Sequence, residues 1–443
     1  MRPLIGVILF PGTNCELEVL RACERAGMKA EIFRWNDSRN KLKKYDGYII
    51  PGGFSYEDRG RSGIIASKDP IMDSIKKESE NGKVVFGICN GAQILVEAGL
   101  IPGLEVNRLT MGLNWNERIH KGKILGVGFY NDWIYMRSDA KKGRSAFNNF
   151  GKDYVMKIPV AHAEGRFTIR EEKILQALIK NEQTVFRYCN EKGDIIEGFP
   201  VNPNGAVYNL AGVCNPQGNV MSLMPHPERT EVSGQPVFDS ISAYLTGKHK
   251  LPSMEIAPVS VQKTQEDTVQ TQKIAPDIEI RVELIITDNE ERTIERTMKN
   301  RGYKNLKLKR KIYFGIHCVN KKGLLKTAEK LIESGEIANL NKEIPHVRIA
   351  GKEYLYDKAA GGLIEKSEKP VVSTFEYFVR DLDNFAGKTV MSKLETHSSA
   401  RELNRIEKGV MWTIGLKKKE SVDKLIRTHI FHNPNAAKLI ALN

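Results

Sequence analysis

Within the first hundred residues, short apolar runs rich in β-branched and aromatic side chains alternate with helical stretches, and this alternation limits the fold more than any other feature. Leu4 to Phe10 ends at "PGTN", where Thr13 or Asn14 is placed to cap a helix running to about Ala26. "AEIFRW" (Ala30 to Trp35), "DGYIIPGG" (Asp46 to Gly53) and "KVVFGI" (Lys83 to Ile88) read as further strands, the last followed by the helical "NGAQILVEAG". Strands joined through helices pair in parallel and are covered on both faces. The expected class is α/β, with a doubly wound, mostly parallel sheet.

From about Asn107 to Gly198 the pattern is shorter and mixed, with strand candidates at Tyr154 to His162 and Gln183 to Tyr188. A late strand, Gly218 to Met224, enters "PHPER", and a helix from Gln235 to Leu245 closes a first domain over residues 1–247. Residues 248–276 turn to Gln, Thr, Lys, Pro and Ser without aromatics, too little apolar surface to offset ordering, and read as a flexible linker. Beyond it a strand, helix, strand, helix, strand pattern occurs twice. One unit covers 277–346, from Ile278 to a third strand at Ile337 to Ile344; the other covers 372–443 and ends in "NPNAAKLIAL". "GKEYLYDKAAGGLIEKSEKP" (Gly351 to Pro370) falls in a connector over 347–371.

The formal charge of +14 arises from basic residues interleaved with acidic ones, as on a solvated surface, so no nucleic-acid partner is expected. Six scattered cysteines form no C-x-x-C pair; they read as reduced thiols, with no metal. No apolar run approaches the ~20 residues of a membrane span, and the N-terminus lacks the parts of a leader, so a cytoplasmic protein without membrane contact is expected.

One cysteine stands apart. In "VVFGICNGAQ" Cys89 lies between Gly87 and Gly91 at a strand end, and G-x-C-x-G suits a sharp strand-to-helix turn that exposes a nucleophile. The helix would aim its first amides at the sulfur, which favours a thiolate and holds an oxyanion. Against this stands the ordinary fate of a free cysteine, a small apolar core residue. A nucleophilic cysteine needs a base and a group to orient it; "LMPHPER" offers His226 and Glu228, two apart and on one side of an extended segment, though the two prolines suit a plain surface turn equally well. In "PGGFS", Gly52 and Gly53 end a strand with bare amides that, with the amide of Asn90, would serve a tetrahedral intermediate; the plain alternative is again a turn.

Taken together, "ILFPGTNCE", "PGGFSYEDR", "FGICNGAQIL", "PVAHAEGRF" and "LAGVCNPQGNVMSLMPHPER" resemble the glutamine amidotransferase subunits of phosphoribosylformylglycinamidine synthase, class I, triad-type glutaminases of purine biosynthesis. The resemblance spans about Arg2 to Leu245. It implies a class I glutamine amidotransferase-like fold, with Cys89 as nucleophile, His226 as base and then acid, and Glu228 as its orienter. It also implies Gly52, Gly53, Asn90 and Gln93 around the oxyanion and L-glutamine. His162, Glu164 and Arg166 match a block near the synthetase contact and are expected at an interface or channel; His162 and Glu164 mimic the H-x-E spacing of the triad without belonging to it.

Departures are Ala92, where relatives often carry a second cysteine, Glu57, where glycine is common, and a loose match over Leu109 to Met136. More weakly, the two C-terminal units resemble the small bridging subunit of the same synthase, so that two copies in one chain would stand for its dimer. The chain carries no phosphate loop of the G-x-x-x-x-G-K-[ST] kind, so no cofactor is expected on it; ATP and Mg are expected on a partner synthetase that takes up the ammonia. Two other readings are a non-catalytic scaffold of that complex and a class I amidohydrolase serving another acceptor.

Overall fold

The computed structural model describes residues 2–105, 108–252, 275–366, 374–394 and 402–442. The chain divides into two compact units, residues 1–261 and 262–443. Most of the segment read as a linker lies outside the described residues. Among the described residues no helix is long and apolar enough to cross a membrane.

The first unit opens with β1 (Leu4–Leu9), α1 (Glu16–Arg25), β2 (Lys29–Arg34), β3 (Gly47–Ile50), α2 (Ile64–Ser67), α3 (Pro70–Glu80), β4 (Val84–Ile88) and α4 (Asn90–Glu97). It continues through β5 (Gly112–Asn114), β6 (Glu117–His120), β7 (Lys123–Val127), β8 (Tyr130–Ser138), β9 (Val155–His162), β10 (Arg166–Thr168), α5 (Glu172–Lys180), β11 (Phe186–Cys189), β12 (Leu210–Cys214), β13 (Val220–Leu223) and α6 (Gln235–Leu245). One sheet runs β2-β1-β3-β4-β13-β12-β11-β8-β9. From β2 to β13 neighbours pair in parallel, and from β13 to β9 they pair antiparallel. β3 and β4 are buried along their whole length, as parallel strands covered on both faces should be.

The expected α/β class and mostly parallel sheet are what the chain adopts. The start of α1 differs from expectation: Cys15 holds the capping position without a side-chain bond. Thr13 instead accepts the amide of Phe10, and Asn14 accepts from the Cys15 thiol, so both side chains tie the "PGTN" turn to itself.

The second unit contains β14 (Ile278–Leu284), α7 (Asn289–Asn300), β15 (Lys307–Cys318), α8 (Leu324–Glu333), β16 (Glu343–Ile349), β17 (Lys352–Asp357), β18 (Gly362–Glu365), β19 (Phe375–Asp381), α9 (Phe385–Leu394), β20 (Leu403–Gly415), α10 (Lys419–Ile426) and β21 (Ala437–Ala441). A single sheet runs β18-β17-β16-β14-β15-β20-β19-β21. The two repeats are thus joined edge to edge. In each, the first strand lies between the second and third, and the long second strands β15 and β20 pair antiparallel. Ala328, Leu331 and Ile332 of α8 and Val390 and Leu394 of α9 enter one core with Phe314, Ile316 and Ile406.

Two expectations fail here. The third strand of the first repeat is Glu343–Ile349, because the carbonyl of Asn339 accepts the amides of Lys342 and Glu343 and turns the chain where a strand was expected. The segment read as a connector carries the hairpin of β17 and β18, which extends the sheet beyond β16.

Candidate active site

Four neighbouring parallel strands, β1, β3, β4 and β13, deliver their following loops to one end of the sheet, where ligands of open α/β sheets bind. After β4 the chain turns at Cys89, whose φ of 50° and ψ of −105° lie outside the regions L-residues prefer. The turn closes because its flanks are glycines. A side chain at Gly87 would run into the carbonyl of Gly91, and one at Gly91 into the carbonyl of Ile50. The Cys89 amide donates to the Leu223 carbonyl at 2.8 Å, which ties the turn to the end of β13.

β13 leads into His226, whose amide donates to the Pro159 carbonyl of β9 at 3.0 Å. Its Nδ1 lies 2.6 Å from Glu228 Oε1, and both side chains are buried. Burial alone would lower the affinity of this imidazole for a proton. The adjoining Glu228 carboxylate, with Cys89 and Cys15 adding to it, outweighs burial and holds the histidine well above its ordinary value. The Nε2 atom is buried without a protein partner. Gly52 marks where the parts converge: a Cβ there would stand 2.8 Å from His226 Cε1, 3.1 Å from Cys15 Sγ and 3.4 Å from Cys89 Cβ.

The backbone of "PGGF" is pinned. The Gly52 carbonyl accepts the amides of Asn14 (3.2 Å) and Cys15 (3.3 Å), and the Phe54 amide donates to Gly12 O at 2.9 Å, making an isolated antiparallel bridge between Thr13 and Gly53. In such a bridge the flanking groups face the partner segment, so the N–H of Gly53 itself points the other way. Gly53 adopts φ +139°, and a Cβ would meet Gly12, Thr13 and Asn14 backbone. The Asn90 side chain accepts from the Ser55 amide (3.0 Å) and donates to Gln93 Oε1 (2.9 Å) and Asp58 Oδ1 (3.3 Å). Gln93 Nε2 in turn donates to the Glu164 carbonyl at 2.7 Å.

His162 and Glu164 do not pair with each other. His162 Nδ1 lies 3.1 Å from Asn116 Nδ2 and 3.2 Å from Asn116 Oδ1, whereas the carboxyl of Glu164 accepts from the Ser62 amide at 3.3 Å. Burial and the charge of nearby His226 push His162 down to about 3, which keeps it neutral. Burial pushes Glu164 up to about 7, and Asp58 up to about 6. Arg166 is engaged by Glu117 at 2.7 Å and by the Trp115 carbonyl at 2.9 Å.

Sequence reasoning missed Cys15, Asp58, Asn116 and Arg229. Arg229 Nη2 donates to Cys15 Sγ at 3.1 Å. Cys15 sits in the quoted "PGTNCE", but only the fold carries it more than two hundred residues along the chain to His226. Among the described residues, Cys15, His226 and Glu228 form the one group whose potential metal-ligating atoms all lie within 4.8 Å of one another.

Comparison with known proteins addresses the same region. The family described as "CobB/CobQ-like glutamine amidotransferase domain" matches residues 2–238. Subunit PurQ of phosphoribosylformylglycinamidine synthase from Methanothrix thermoacetophila is 45% identical over 257 residues, covering 54% of this chain and 97% of that one. The protein of the same name from Pyrococcus furiosus is 42% identical over 226 residues, covering 51% and 87%. Among solved structures, PurLQS from Thermotoga maritima matches with 33% identity and a TM-score of 0.43, over 55% of this chain and all of that one.

Proposed function

On the premise that this chain belongs to the CobB/CobQ-like glutamine amidotransferase family, we propose that it is the glutaminase component of phosphoribosylformylglycinamidine synthase. It releases ammonia from L-glutamine for an ATP- and Mg-dependent synthetase partner in the cytoplasm, which converts formylglycinamide ribonucleotide to formylglycinamidine ribonucleotide. The observation that carries the reading is the meeting of the strained Cys89 and His226 at Gly52, with Glu228 bonded to the far nitrogen of that imidazole.

In this mechanism the Cys89 sulfur attacks the side-chain carbonyl carbon of glutamine. The amides of Gly53 and Asn90 receive the negative charge that develops on the carbonyl oxygen. His226 takes the thiol proton and passes it to the leaving nitrogen, so that ammonia departs and a glutamyl thioester remains. Water activated by the same imidazole then frees glutamate. Glu228 fixes the tautomer of His226 and stabilises its cation, which a buried imidazole would otherwise resist. Gln93 lines the glutamine pocket; His162, Glu164 and Arg166 lie on the side where ammonia leaves toward the synthetase. The two C-terminal repeats stand in for a bridging dimer.

The test is glutamate release from glutamine by the wild type and Cys89→Ala, with and without the synthetase. The wild type in the assembled complex is expected to hydrolyse glutamine, and the variant to lose at least about three orders of magnitude in rate. Equal rates would remove the catalytic reading. A wild type silent in the complex would leave only a scaffold.

A further inference from the structure

We propose that His162 is a neutral acceptor for the nitrogen that leaves glutamine: its bare Nε2 takes a hydrogen bond from ammonia as this departs Cys89, and gives it no proton. This role rests on the glutaminase reading above; the state of the imidazole does not. His162 ends β9 and is 3% exposed. The residue before it brings its carbonyl to 3.8 Å from Cys89 Sγ, and the charge that acts on the His162 ring is that of His226. The ring therefore lies in the neighbourhood of both the nucleophile and the base.

The hydrogen bonds around Asn116 fix the tautomer. Its Nδ2 has two hydrogens, and both are used, on the carbonyls of Gly128 (3.1 Å) and His162 (2.6 Å). Its Oδ1 accepts the Gly165 amide at 2.9 Å, which sets the orientation of the side-chain amide. The group left to meet His162 Nδ1 is Oδ1, at 3.2 Å, so Nδ1 carries the hydrogen and Nε2 a lone pair. Gly165 leaves room for this arrangement, since a side chain there would lie 2.2 Å from both Cε1 and Nδ1. The Nε2 lone pair is buried and has no protein partner, a costly state until a donor reaches it. The donor that suits it is small and uncharged, because burial and His226 both resist a positive charge on this ring. Ammonia meets those terms and must stay unprotonated to act as a nucleophile elsewhere. An acid at this point would trap it as ammonium, whereas the only hydrogen on the ring is held by Asn116. The Glu164 carboxyl, two residues on, is turned to the Ser62 amide at 3.3 Å.

Two measurements on the full-length chain test the assignment. With histidine labelled in nitrogen-15, the His162 signals are identified by their loss in His162→Phe. A hydrogen on Nδ1 and none on Nε2 is expected from about pH 8 down to about pH 5. A hydrogen on Nε2, or titration near the ordinary histidine value, overturns the proposal independently of any activity. In the complex with the synthetase, the amidine formed per glutamate released is then compared between variants. The ratio is expected to fall at least about threefold in His162→Phe, which keeps a ring without a lone pair. It is expected to stay near the wild-type ratio in His162→Gln, whose side-chain oxygen supplies a neutral acceptor. Equal ratios in the wild type and His162→Phe, or equal losses in both variants, overturn the role. Accumulation of glutamyl thioester in His162→Phe assigns the lone pair to the hydrolytic water and overturns it as well. A wild type with the expected tautomer that releases no glutamate in the complex refutes the glutaminase reading, and the role with it.

Discussion

At the residue scale, the site depends on positions where no side chain fits. Gly52→Ala places a methyl 2.8 Å from the His226 ring and 3.1 Å from Cys15 Sγ, so the imidazole must leave its present position. Glutamate release is expected to fall about a hundredfold or more, while circular dichroism and the thermal midpoint of the variant change little. Glu57 is the opposite case. It is exposed, and it adopts φ +59° between Tyr56 and Asp58, which are also left-handed. Its side chain pairs with Arg59 at the surface, a contact of small worth. Glu57→Gly is expected to stabilise the first unit by about 0.5–1 kcal/mol, because relief of the left-handed strain exceeds the added chain entropy. A thermal midpoint that falls would contradict this. The turn at Cys89 and the pair of His226 and Glu228 were legible in sequence because each is local, a glycine-flanked turn and an H-x-E spacing; their meeting comes from the pairing of β4 with β13. The same spacing at His162 and Glu164 means something else, because Asn116 takes the imidazole and Ser62 the carboxyl.

At the element scale, legibility followed periodicity and end signals. The helix expected from Gln235 to Leu245 matches α6 at both ends; β3 announced itself as an apolar run closed by Pro51, Gly52 and Gly53, and β4 as one that leads into a helical stretch. β8 was not seen, because both faces of its start are exposed, at Asn131, Asp132 and Trp133, which blurs the alternation that Ile134, Met136 and Ser138 keep. The displaced β16 and the hairpin of β17 and β18 were hidden for another reason. β16 pairs with β14, far earlier in the chain, whereas β17 and β18 continue from it as local hairpins whose Gly-containing turns read as connecting chain. Where an end signal is present, its worth is measurable. Asp288 accepts the amides of Glu290 (2.9 Å) and Glu291 (3.0 Å) at the start of α7 and pairs with Arg310 at 3.1 Å. Asp288→Ala is expected to cost about 1–2 kcal/mol, read as a lower denaturation midpoint of the second unit.

At the scale of the whole molecule, two buried groups of opposite kind shape the response to pH. Glu164, pushed up to about 7 from 4.5 chiefly by burial, contributes stability that is full below about pH 4.5 and lost as pH rises through 7. His162, pushed down to about 3 from 6.5 by burial and His226, contributes stability present above about pH 6.5 and lost as pH falls toward 3. Between those limits the two slopes oppose, and Asp58, pushed up to about 6 by burial, adds a slope of the same sign as that of Glu164. Measured against the wild type, Glu164→Gln should therefore lose up to about 2–3 kcal/mol in the first unit between pH 6.5 and 4.5, and His162→Asn should gain by a similar amount. Tryptophan fluorescence in a Trp412→Phe background reports this unit through Trp35, Trp115 and Trp133; parallel pH curves for both variants would refute the assignment.

The pairing of β15 with β20 has a consequence for how the second unit comes into being. Each strand is more than ten residues long, and in a repeat standing alone it would present a full row of unpaired amides and carbonyls to any other chain. Here each repeat supplies the strand that seals the other's longest open border, leaving the short β18 and β21 outermost. During synthesis the first repeat must wait, with that border open, until the second has emerged, so the two arrive at a finished sheet together or not at all.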